Sequence, residues 1–187
     1  MQHYTGESMR ILLILAMLVL PMQAYAGSLC FTTAGANTAI ATIDSADFTN
    51  VPGGANHYWV AALDPTVEER YVYHFFYPPD NPGNFTAVLH WTKPSGVDVT
   101  NVVFTIAGGC ARDGVNVDTI ALGTPAIIID TALAGATLLN TTAATPTFVL
   151  TNHQALAYCE LEIRRDATNG SDTLPVDAQV VGVCVSW

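Results

Sequence analysis

Basic residues are scarce in this chain. Six Lys plus Arg stand against sixteen Asp plus Glu in 187 residues, a formal net charge of −10. An acidic surface repels phosphate backbones, and no basic patch with interleaved aromatics offsets it, so nucleic acid is not an expected partner. Anionic membrane surfaces are disfavoured for the same reason. Charge of either sign is low, at 12%, yet half of the residues are hydrophobic, so the chain is not a disordered one. After residue 26 there is no stretch of long helical period, no repeat of fixed period and no linker. One domain, residues 27–187, with a sizeable core is the consequence. Catalytic motifs are missing too: no G-x-S-x-G, no H-E-x-x-H and no phosphate-binding glycine loop. Carboxylates are plentiful, but the paired acids of glycoside hydrolysis are defined by separation in space. A non-enzymatic protein is expected.

The N-terminus reads as a targeting segment. Met9 and Arg10 precede the apolar run ILLILAMLVL, and Ala24 and Ala26 form an A-x-A site. Residues 1–26 are expected to be a signal peptide, with Met9 an alternative start and Gly27 the mature N-terminus. The competing reading is an uncleaved anchor, but Ile11–Leu20 is short for a span of about 20 residues. No stable membrane insertion is expected after cleavage, and Gly-Ser-Leu before Cys30 is a poor lipobox. Losing Arg10 and Glu7 leaves five basic against fifteen acidic residues, still −10.

Four cysteines follow in the mature chain, an even number that suggests two disulfides in an exported domain. Cys110 alternates in phase with Phe104 and Ile106, and Cys159 with Leu161 and Ile163. Cys184 is out of phase with Val183 and Val185. Bridged cysteines must share a side, which favours Cys110–Cys159 and Cys30–Cys184. The spacings are far from the C-x₂-C pairs of zinc sites.

Alternation runs through most of the chain. Strands are expected around Thr38–Ile43, His57–Leu63, Glu69–Tyr77, Phe85–Thr92, Asn101–Ala107, Ile127–Ile129, Leu138–Leu139 and Thr147–Leu150. Turns are expected at Val51-Pro-Gly-Gly-Ala, residues 78–84 and Lys93-Pro-Ser-Gly. The last 33 residues carry the clearest pattern. Ala157, Cys159, Leu161 and Ile163 share one face and Glu160, Glu162 and Arg164 the other. Val181, Val183, Val185 and Trp187 then share a face. Many short strands between Gly and Pro turns mean an all-β fold, a single antiparallel β-sandwich or jelly roll.

Two segments carry a resemblance. Residues 63–92 read LDPTVEERYVYHFFYPPDNPGNFTAVLHWT, and the end reads LEIRRDATNGSDTLPVDAQVVGVCVSW. Over residues 57–187 the chain resembles β-sandwich proteins of tailed phages and bacterial genomes that share an R-D…D-T-L…D-A…G-V motif. The resemblance implies a jelly roll, a virion-surface or tail-associated role and assembly as an oligomer. This chain departs from that pattern in its signal-peptide-like segment and its four cysteines.

Three candidate sites stand out. The loop Asp166–Asp177 presents Asp166, Asn169, Asp172 and Asp177, oxygen ligands of the kind calcium takes. Its spacing is not an EF-hand, and an Asp- and Gly-rich turn capped by its own side chains is favoured. In that case Asp172→Asn is expected to be nearly silent. His74 and His90 lie opposite the aromatic stripes of neighbouring strands and come close if those strands pair, although zinc needs a third ligand. Tyr71, Tyr73, Phe75 and Tyr77, with Trp91, form either a sugar-stacking platform or, favoured by their regular alternation, core.

The leading reading is an exported, non-enzymatic β-sandwich, periplasmic, extracellular or on the cell surface. It acts as a structural or surface-interaction subunit with a homo-oligomer or a partner surface protein. A lectin-like glycan-binding module and a phage virion protein are the alternatives.

Overall fold

Most described stretches in which polar and apolar residues alternate form strands. The computed structural model describes residues 27–32, 44–45, 47–53, 56–80, 82–96 and 99–187, with the backbone alone for 44–59. Among these residues there are eleven strands. They are β1 (Ser28–Thr32), β2 (Asp44–Ser45), β3 (Asp47–Gly53), β4 (Asn56–Leu63), β5 (Glu69–Phe76) and β6 (Thr86–Thr92). Then come β7 (Asn101–Ala111), β8 (Ala126–Thr131), β9 (Asn140–Thr141), β10 (Tyr158–Arg165) and β11 (Ala178–Ser186). The expected signal peptide and the strand around Thr38–Ile43 lie outside the described residues.

The strands form two sheets. The first runs β3-β4-β11-β6-β9, with β1 also on β11; the second runs β2-β5-β10-β7-β8. All pairs are antiparallel except the short β2–β5 pair. Strand order β4-β11-β6-β9 in one layer against β5-β10-β7-β8 in the other is a jelly-roll sandwich. The two strands nearest the C-terminus, β10 and β11, are each flanked on both sides, one per sheet. The core lies between them, built from Tyr71, Tyr73, Phe104, Ile106, Leu161 and Ile163 on one sheet and Leu89, Trp91, Val180, Val183 and Val185 on the other. Truncating Trp91 there would cost about 3–5 kcal/mol.

Several details depart from the alternation. The ladder between β11 and β6 shifts register between Val180 and Gly182, a bulge that adds Val181 to one strand. Ala178 and Val180 therefore join Val183 and Val185 in the core, and Val181, expected on that face, is displaced from it. β7 extends past Ala107 to Ala111 because Gly108 and Gly109 admit close neighbours. A Cβ on Gly108 would meet Leu150 Cδ2 at 2.3 Å, and one on Gly109 the Ala121 carbonyl at 2.3 Å. Residues 51–53, expected as turn, continue β3 and pair with β4. Leu138–Leu139 precede β9 rather than form it. In Thr147–Leu150, Phe148 makes a single bridge to Phe85.

Covalent and polar clamps hold each central strand. Cys110–Cys159 joins β7 to β10, and Cys30–Cys184 joins β1 to β11, the pairing that strand parity favours. Each bridge connects directly opposed residues. The first is buried; Cys30 of the second is exposed. Two disulfides indicate an oxidising compartment. Among the described residues no helix is long and apolar enough to cross a membrane.

β10 ends on Arg165, whose side chain is fully buried. Its Nε donates to Asp172 Oδ2 at 3.0 Å and its Nη2 to Asp172 Oδ1 at 2.7 Å. Nη1 donates to the Leu63 and Val176 carbonyls, and Nη2 also to the Leu174 carbonyl. All five guanidinium N–H groups thus have an acceptor. At the chain end Trp187 exchanges both backbone hydrogen bonds with Gly27 and donates its indole N–H to Asp80 at 3.0 Å.

Candidate functional site

The outer face of the second sheet carries the densest chemistry. Antiparallel register sets Arg70, Val72, His74 and Phe76 of β5 against Arg164, Glu162, Glu160 and Tyr158 of β10. Four of the charged groups close on themselves: Glu68 pairs with Arg164, Arg164 with Glu162, and Glu162 with Arg70. Glu160 stands outside this ladder, beside an aromatic cluster.

That cluster has defined geometry. The Tyr158 hydroxyl lies 2.7 Å from His74 Nδ1. The two rings stack with centroids 5.5 Å apart, and Phe76 meets Tyr158 edge-on at 6.1 Å. Phe76 is 68% exposed, far more than a core aromatic. Burial lowers the His74 imidazole below its ordinary value, which keeps it neutral. Burial, then the nearby Glu160 charge, raises the Tyr158 phenol. The Tyr158 phenol and the His74 imidazole thus share a hydrogen bond between two neutral groups. Burial, then Glu162, raises the Glu160 carboxyl. The patch offers π-faces, one carboxylate and a neutral imidazole. It suits recognition of C–H faces and hydroxyls. Glu162 is committed to two arginines.

A second surface lies at the sheet edge. No strand pairs with the other side of β8 among the described residues. Its outward residues Ile127 and Ile129 are 51% and 53% exposed. Asp130 turns inward and accepts the Trp91 indole N–H at 2.7 Å. Beside β8 an apolar groove of about 630 Å³ runs between residues 123–127 and 146–151.

The residues singled out in the sequence land elsewhere. Asp172 points inward, its carboxylate taken by Arg165 and the Val103 N–H. Asp166 accepts from the Thr168 hydroxyl and the Asn169 amide, and the Asn169 side chain accepts the Ser171 N–H. The loop Asp166–Asp177 is thus a capped turn anchored by a buried ion pair. The expectation that Asp172→Asn is silent is corrected, since the change would leave Arg165 short of its counter-charge. Among the described residues no three His, Cys, Asp or Glu side chains are grouped to hold a metal. His74 and His90 are not neighbours: β5 and β6 belong to different sheets. Tyr71, Tyr73, Tyr77 and Trp91 are core, which removes them as a stacking platform.

Sequence reasoning missed Phe76 and Tyr158, although a signal for them exists. Each is an aromatic on the polar phase of an alternating strand, one position off the buried stripe.

Fold and surfaces together define a disulfide-clamped jelly-roll sandwich with an exposed aromatic-acidic face and an open edge. No family model and no curated protein matches the chain.

Proposed function

We propose that the protein is an exported, non-enzymatic β-sandwich that serves as a structural or surface-interaction subunit and assembles with copies of itself through the β8 edge. That edge carries the reading. Natural edge strands are blunted by lysine, proline, bulges or an inward-pointing charge; Ala126–Thr131 has no lysine, proline or bulge, and its one charge, Asp130, is taken up by the Trp91 indole N–H. Two exposed isoleucines instead face outward on a strand whose second side pairs with no strand among the described residues. Export is supported by the N-terminal segment and by two disulfides. Sedimentation of residues 27–187 tests assembly. The wild type is expected as an oligomer and Ile127→Lys/Ile129→Lys as a monomer with unchanged melting temperature. A wild type that stays monomeric at every concentration would remove the proposal.

A second reading, a lectin-like module, is favoured by the exposure of Phe76 beside Tyr158, His74 and Glu160. Glycan-array binding that Phe76→Ala abolishes would place it first. The virion-protein reading draws support from the jelly-roll strand order. Recovery of the native protein in particles rather than in the exported fraction would select it.

A further inference from the structure

On the outer face of the first sheet, the connection from β8 to β9 leaves a cleft of about 230 Å³ lined by Thr92, Thr137, Leu139 and Val181. Three irregularities meet there. The bulge in β11 displaces Val181 from the core face toward the cleft. Thr137 holds φ at 56°, a left-handed conformation that a β-branched residue rarely adopts. Its N–H is fixed there by the Lys93 carbonyl at 2.9 Å. Thr92 and Gln179 stand directly opposite each other on this face. They are 2% and 7% exposed, and Thr92 Oγ1 and Gln179 Oε1 have no hydrogen-bond partner among the described residues.

Buried polar atoms without partners are costly, so an unpaired hydroxyl in a cleft wall favours a ligand that can bond to it. We propose that the cleft binds a small neutral polyhydroxylated ligand, the terminal ring of a saccharide. The lining excludes the other classes. It holds no charged side chain, so an ionic ligand would be desolvated without compensation. A purely apolar ligand would leave the Thr92 hydroxyl unpaired. A sugar ring offers both a hydroxyl for Thr92 Oγ1 and C–H faces for Leu139 and Val181. The volume is below the roughly 300–1,000 Å³ of drug-sized sites, which limits the occupant to about one ring.

Methyl and aromatic-ring NMR on the protein titrated with glucose, galactose, mannose and N-acetylglucosamine tests the proposal. At least one sugar is expected to shift the Leu139 and Val181 methyls. Thr92→Val should weaken that binding about tenfold, the worth of one hydrogen bond. It should not lower the melting temperature, because it removes an unpaired hydroxyl. Val181→Phe, which fills the cleft, must abolish the shifts. Four silent sugars overturn the proposal. So do shifts confined to the Phe76 and Tyr158 ring signals, wild-type affinity in Thr92→Val, a lowered melting temperature in that variant, or shifts that survive Val181→Phe.

Discussion

The two central strands solve the same problem differently. β10 is regular, with eight register pairs to β5 and eight to β7. Its disulfide faces the core, and its end is locked by Arg165 in a full set of acceptors. β11 is bulged, and one of its sides is shared by two shorter partners, β4 at Ala178–Val180 and β1 at Gly182–Ser186. Its disulfide includes an exposed cysteine, and its end is closed by Trp187 on Gly27. β10 is held by continuous pairing on both sides and by the acceptors around Arg165 at its end. β11 depends on a covalent staple to a peripheral strand and leaves an irregular surface at its bulge. The outer faces differ accordingly: a closed charge ladder on one sheet, an uncharged cleft on the other.

The largest expected effect breaks β11. Deleting residues 183–187 removes Val183, Cys184 and Val185 together with the pairing to β1 and β6. No folded soluble protein should be recovered. A truncated form with an unchanged melting curve would show that the far half of β11 is dispensable. Next in size, Asp172→Asn strips Arg165 of its counter-charge, and breaking a buried pair costs about 3–5 kcal/mol. Denaturant unfolding measures it; a loss below about 1 kcal/mol, the range of a surface ion pair, would mean that the pair is solvated. Access then separates the two bridges. Under mild reductant the folded protein should take up a thiol label at Cys30 and Cys184 before Cys110 and Cys159, as read by peptide mass. Equal labelling of both pairs would erase the contrast.

The smallest effect concerns pH on the β5–β10 face. His74 is held below its ordinary 6.5, so as pH falls through that value the unfolded state takes the proton first and stability drops. Glu160 is held above its ordinary 4.5, so as pH rises from there the unfolded state ionises first and stability again drops. Glu160→Gln removes the second effect alone. Its melting temperature should match the wild type below pH 4.5 and exceed it increasingly as pH rises through the raised Glu160 value. A difference independent of pH would show that the ionised carboxylate is not penalised.

Faces were legible in the sequence, and sheets were not. Alternation marks which side of β5, β6, β7 and β10 meets the core, and the cysteine phases follow from it. It says nothing about which layer a strand joins, because a jelly roll sends most consecutive strands to opposite sheets. His74 and His90 therefore share a phase but not a surface. Parity also fails silently at a bulge: one extra residue at Val181 re-phases what precedes it, and no composition marks it. Asp172 looked like a solvent ligand because its partner, Arg165, hides in the apolar phase of β10. A charge at a core position is the clue that a buried counter-ion must exist elsewhere. The cleft was illegible for a similar reason, since Thr92 and Gln179 meet only through strand pairing.

The antiparallel pairing of β1 with β11 has a mechanical consequence. Residues 27 and 187 are neighbours, so tension on the two flanks of the domain peels one strand from the other instead of shearing the sandwich. Peeling can open only the pairs Gly27–Trp187, Ser28–Ser186 and Leu29–Val185 before it reaches Cys30–Cys184. There the pull passes across a covalent bond. The chain between these cysteines, a sequence separation of 154, carries no force while that bond is intact. The domain, tugged at residues 27 and 187, would stretch by a few residues and stop. Reduction of one accessible sulfur pair would turn the same tug into unravelling.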